Sequence, residues 1–128
     1  MAKELTINLP NKPGQLALLA ETLGKAEVNI EALAAATSGT KGVVRIVADD
    51  SARAKRALRA AKIRVASERD VLAVRLRNRP GALARVTKRL AKAKVNIDSA
   101  YLLAADRKRA VAAIGVRNMS AAKKALGR

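Results

Sequence analysis

Asn11-Lys12-Pro13-Gly14-Gln15-Leu16-Ala17 returns as Asn78-Arg79-Pro80-Gly81-Ala82-Leu83-Ala84, and Val28-Asn29-Ile30-Glu31 returns as Val95-Asn96-Ile97-Asp98. The offset is 67 residues in both cases, with no gap between the two signatures. From Asn11 to Ile30, 11 of 20 positions are identical to their counterparts. A self-match of this length sets the architecture: two copies of one unit, residues 1–69 and 70–128. An Asn, a Pro-Gly turn and a second Asn are kept in each copy.

Working outward from the repeat, Leu5, Ile7 and Leu9 alternate with polar residues, the pattern of a half-buried strand. Pro13-Gly14 ends it. Leu16, Leu19, Ala20, Leu23 and Ala26 then recur at helical spacing and predict a helix over about 14–25. Val28 to Thr37 reads as a strand. Ser38 to Gly42 is a hairpin turn, and Val43 to Val47 is a β-branched strand. Asp50 or Ser51 caps a second helix that runs to about Ala61, and Ile63-Arg64-Val65 is a short strand. Val71 to Leu76 starts the series again. A third helix carries Leu83, Val86, Leu90 and Ala93, a second hairpin turns at residues 105–108, and a last helix runs from Asn118 to Leu126.

The unit is βαββαβ. Its two strand–helix–strand crossings imply a ferredoxin-like α+β fold: an antiparallel sheet of order 4-1-3-2 with both helices on one face. The second hairpin has one extra residue, because Asn118 matches Asp50 at an offset of 68. The second copy lacks its last strand, which leaves Val71 to Leu76 with an open edge. Ile63 to Ser67, or a strand from a second chain, is expected to cover it.

Composition narrows the chemistry. Half of the 128 residues are hydrophobic, yet Tyr101 is the only aromatic, so the core must be Leu, Ile, Val and Ala. Without cysteine or histidine there is no disulfide framework and no thiolate or imidazole metal site. No apolar run reaches signal-peptide or membrane-spanning length, and a cytoplasmic protein without a cofactor is expected. The net charge of +17 is unevenly placed: residues 1–69 carry 12 basic and 7 acidic side chains, residues 70–128 carry 15 and 3. Arg75, Arg77, Arg79, Arg85, Lys88, Arg89, Lys92 and Lys94 concentrate it. Such a field attracts phosphate polymers.

A strand, Asn-x-Pro-Gly-x-Leu opening a helix, and Val-Asn-Ile opening the next strand resemble the ACT domain, here as a tandem pair covering nearly the whole chain. The resemblance implies a non-enzymatic regulatory protein that binds an amino acid or other small effector where ACT units meet and reports it to a metabolic enzyme. It places the ligand contacts on Asn11, Gly14 and Asn29 in the first copy and on Asn78, Gly81 and Asn96 in the second. It also implies a homodimer.

Elementary chemistry agrees with that placement. The turn feeds a helix N-terminus, whose free N–H groups and dipole favour a carboxylate. Glycine allows close approach to the backbone, and an Asn amide offers both donor and acceptor to a zwitterion. Purely structural roles stay open beside this: Asn11 and Asn78 as helix caps, Asn29 and Asn96 as residues tolerant of a left-handed backbone, Tyr101 as packing. Asp49-Asp50 precedes a helix and is read as a cap rather than an acid/base pair. The rival function is sequence-independent nucleic-acid binding by the basic second copy. With Tyr101 as the single aromatic, base-stacking recognition is not its expected mode.

Overall fold

The computed structural model describes residues 2–128. In chain order the elements are β1 (Ala2–Pro10), α1 (Gln15–Lys25), β2 (Ile30–Ser38), β3 (Lys41–Ala48), α2 (Ser51–Ala60), β4 (Val65–Arg77), α3 (Ala82–Lys92), β5 (Ile97–Ala105), β6 (Arg109–Val116) and α4 (Met119–Ala125). The chain forms two compact units, Lys3–Arg69 and Asp70–Arg128, the latter with Ala2. The βαββα order runs twice, from β1 to α2 and from β4 to α4, with β4 also closing the first βαββαβ unit, and the class is α+β with antiparallel strands.

In the first unit the strand order is β4-β1-β3-β2, the predicted 4-1-3-2. β1 pairs antiparallel with β3, placing Ile7 opposite Val44. Every second residue of β1 (Leu5, Ile7, Leu9) is buried, as the alternation requires. These meet Leu19 and Leu23 of α1 and Leu58 of α2 in an all-aliphatic core. Asp50 caps α2 by accepting the Arg53 N–H at 3.0 Å.

The second unit has the order β4-β6-β5. Leu72 and Val74 pack with Leu90, Val95, Ile114 and Ala122. Asn118 caps α4 through the Ala121 N–H at 3.0 Å. The extra residue of the second hairpin is a bulge: β5 slips register between Leu102 and Ala104, where β2 runs unbroken. A bulge is how one strand of a pair absorbs one more residue than its partner.

Three expectations are corrected. Ile63 to Val65 and Val71 to Leu76 do not form two strands, because Val65 to Arg77 is one strand of 13 residues. It follows that Ile63 to Ser67 cannot cover the edge of Val71 to Leu76: the end of that segment is collinear with the edge rather than beside it. Within the second unit the Ala73 carbonyl instead accepts a hydrogen bond from the Arg128 guanidinium at 2.7 Å. Finally, the left-handed residues between helix and strand are Glu27 (φ 59°) and Lys94 (φ 59°), not Asn29 and Asn96. Each directly follows a helix C-cap, Ala26 or Ala93, where αL geometry ends the last turn.

Candidate functional site

The two Pro-Gly turns have the same backbone. Gly14 (φ 86°, ψ −8°) and Gly81 (φ 88°, ψ −12°) are the N-caps of α1 and α3, both left-handed, and neither helix has a side-chain cap. Only glycine adopts this geometry without strain. An added Cβ would meet nothing within 4 Å at either position, so the space before each helix start is open. The first-turn N–H groups are left without a side-chain acceptor, which is the condition for receiving a ligand anion.

Asn11 and Asn78 are not caps. The Asn11 amide donates to the Gly39 carbonyl at 2.9 Å, and its backbone N–H donates to Thr40 O at 2.9 Å. Asn78 does the same to Asp106 O and Lys108 O. Each asparagine thus ties its Pro-Gly turn to the neighbouring hairpin turn. That fixes the turn while leaving the amide oxygen as an acceptor.

Beside each clamp lies a cavity. In the first unit it measures about 140 Å³, and its walls include Leu9, Asn11, Gln15, Leu16, Ala35 and Val44. In the second it measures about 260 Å³, with Leu76, Asn78, Ala82, Leu83, Leu102 and Ala112 at the corresponding places. Ala82 for Gln15 and Ala112 for Val44 remove bulk from two walls of the second cavity, while Leu102 for Ala35 adds bulk to a third. Tyr101 also borders the second cavity. Leu16 and Leu83, expected on the buried faces of their helices, are 45% and 50% exposed and line these openings. Sequence periodicity alone could not separate them from core leucines. The available signal was their place two residues after the turn glycine, in the first helical turn.

Asn29 and Asn96 lie elsewhere. Asn29 exchanges backbone hydrogen bonds with Asp49, donating to its Oδ1 at 3.0 Å and accepting from its N–H at 3.0 Å. Asn11 is tied to Thr40 before β3, and Asn29 to Asp49 after it. Nine residues of extended chain put them roughly 30 Å apart. One unit therefore does not bring its two asparagines together. In the second unit the Asn96 amide donates to Asp98 Oδ1 at 2.9 Å, and Arg117 reaches the same oxygen at 3.2 Å. Arg117 stands where the first unit has Asp49.

The fold has solved counterparts. The chain is similar to protein BT0572 from Bacteroides thetaiotaomicron, at 33% identity over 98% of this chain and 86% of that one, with a TM-score of 0.90. It also shares its fold with the regulatory subunit of aspartate kinase from Thermus thermophilus, in its ligand-free form. That match has 20% identity, covers 98% and 90% of the two chains, and has a TM-score of 0.73. The Thermus flavus regulatory subunit matches at 20% identity with the same coverage and a TM-score of 0.68. No curated protein matches the chain. Among the described residues no helix is long and apolar enough to cross a membrane. The family model for the ACT domain pair matches residues 1–124, and the chain belongs to that family.

Proposed function

We propose that the protein is a regulatory module that binds an amino acid at its Pro-Gly turns and controls a metabolic enzyme through that binding. The observation that carries this reading is the cavity repeated at the same place in both units, each between an asparagine clamp, an uncapped helix start and an exposed leucine. The α-carboxylate is assigned to the helix start beside Gly14 or Gly81, where N–H groups and the helix dipole favour an anion. The free side of the Asn11 or Asn78 amide faces the ligand's polar atoms, and Leu16 or Leu83 packs on its side chain. Asn29 and Asn96 enter from a different ACT unit, since within one unit they stand at the far end. A homodimer supplies such a neighbour.

Regulation then follows from linkage. A ligand held by two units favours the arrangement in which both contacts are made, by its differential affinity for that arrangement. A partner enzyme that prefers one arrangement is switched by the same free energy. The fold shared with aspartate kinase regulatory subunits supports a control function, and the chain's own chemistry is binding rather than catalysis. We place it in the cytoplasm with its metabolic partner.

The test is a thermal-shift screen of the twenty amino acids, with Gly81→Ala and Asn96→Ala alongside. At a hundred times its dissociation constant a ligand stabilises the fold by about 2.7 kcal/mol. One or two hits, weakened in both variants, are expected. A flat screen on folded protein would reject the reading.

A further inference from the structure

Beside the second unit's turn, and sharing Leu76, Arg77, Arg79 and Ala82 with the cavity described above, lies a cleft of about 250 Å³ bordered by Arg75, Arg77, Arg79 and Arg85 and by the Pro80-Gly81 turn itself. Arg75 and Arg77 come from β4, Arg79 from the turn and Arg85 from α3. All four are exposed, and no carboxylate lines the cleft. None of the four takes part in an ion pair or side-chain hydrogen bond among the described residues. The first unit has Asn8, Pro10, Lys12 and Leu18 at the matching positions, a single cation. The fold therefore does not require the arginines, since the same turn is built without them.

We propose that this cleft binds the oligophosphate group of a small ligand, of the nucleoside di- or triphosphate class. Four arginines border one concavity with no carboxylate among them, and a ligand with several negative charges offsets that concentration of like charge. Each planar fork donates two parallel hydrogen bonds to a pair of phosphate oxygens, which is why arginine suits this task better than lysine. An amino acid, with no net charge, does not match such a field. A nucleic-acid strand is the less fitting occupant. Single strands without sequence preference are held on aromatic platforms along an open groove, whereas this cleft is short and concave and Tyr101 does not line it. The cleft adjoins the place assigned to the α-carboxylate at Gly81, but it rests on the arginines and not on an amino-acid ligand, so either reading can fail alone.

Isothermal titration of the whole chain in about 150 mM salt tests it, because diffuse surface attraction is screened there. The titrants are tripolyphosphate, ATP, orthophosphate and a short single-stranded oligonucleotide. Tripolyphosphate and ATP are expected to saturate one site per chain and to bind about tenfold or more tighter than orthophosphate. Arg75→Gln with Arg85→Gln should weaken binding about a hundredfold, from two lost charge-assisted contacts. Lys88→Gln with Lys92→Gln, outside the cleft, should change it by less than about threefold. All four positions are exposed, and circular dichroism confirms that each variant is folded before titration. An equal loss in the lysine variant would mean a diffuse field and overturn the proposal. So would the absence of a saturable site, or an oligonucleotide that displaces tripolyphosphate charge for charge.

Discussion

The two units solve the same turn in the same way and the same sheet position in opposite ways. Gly14 and Gly81 differ by 2° in φ, and each turn is clamped by an asparagine onto its hairpin. On β1, by contrast, Glu4 is fully buried, 3.0 Å from Arg69 Nε and 3.9 Å from Arg45 Nε. Its counterpart in the second unit is Val71, also fully buried, and the counterpart of Arg45 is Ala113. One unit fills the place with a carboxylate between arginines, the other with aliphatic carbon. What is identical across the duplication is the Pro-Gly turn, and what has drifted is the means of burial.

The largest effect should come from Glu4→Gln. Removing one partner of a buried ion pair leaves the other charge uncompensated and costs about 3–5 kcal/mol when both are deep. Arg45 and Arg69 keep 39% and 32% of their side chains exposed, which screens them, so about 2–3 kcal/mol is expected. Urea unfolding measures it. A loss below that of Val71→Ala, about 2 kcal/mol for the missing methyl groups and their cavity, would show that the ion pair is the weaker device.

Next come the glycines. Gly14→Ala and Gly81→Ala should each destabilise by about 1–2 kcal/mol, since alanine is strained at these φ values though space is open around it. The two costs should agree, and a clear difference by the same unfolding assay would break the equivalence of the turns. Asn11→Ala and Asn78→Ala should each cost about 1 kcal/mol, one hydrogen bond to a hairpin carbonyl.

The smallest effect separates the hairpins by pH. Asp106 accepts hydrogen bonds from the backbone N–H groups of Arg109 at 2.7 Å and Lys108 at 2.8 Å, in that order of influence, and they hold its carboxyl below the ordinary aspartate value. A lowered folded value means that the charged form favours the fold. The stabilisation is complete above the unfolded aspartate value and is lost as pH falls through the folded one. Melting curves between about pH 5 and pH 2 should show this loss, and Asp106→Asn should remove it. Gly39 stands at the matching place in the first hairpin and has nothing to titrate.

The duplication, the element order and the turn were legible because each rests on local chemistry: alternation in β1, a Pro-Gly break, capping by Asp50 and Asn118. The fused β4 was not legible. Ser67-Glu68-Arg69-Asp70 is polar and carries no strand signal, but Glu68 is tied to Lys55 at 2.8 Å and Arg69 to Glu4. Tertiary partners hold extended a stretch whose own propensity is weak. The roles of the asparagines were half legible. Their recurrence marked them, but only the coordinates show Asn11 and Asn78 holding hairpins and Asn29 far from Asn11. The cavities were invisible in sequence, since Leu16 and Leu83 fit the buried stripe of their helices equally well.

The account rests on the cavity at each turn being the ligand's place. The direct measurement is calorimetric titration of the best amino acid from the screen into the wild-type chain, Leu16→Gln and Leu83→Gln. Both leucines are half-exposed cavity walls, so the fold should survive each change. The account predicts that Leu83→Gln abolishes binding to the larger second-unit cavity, that Leu16→Gln abolishes binding to the first, and that neither disturbs the other unit's site. An affinity and stoichiometry unchanged by both substitutions would contradict it.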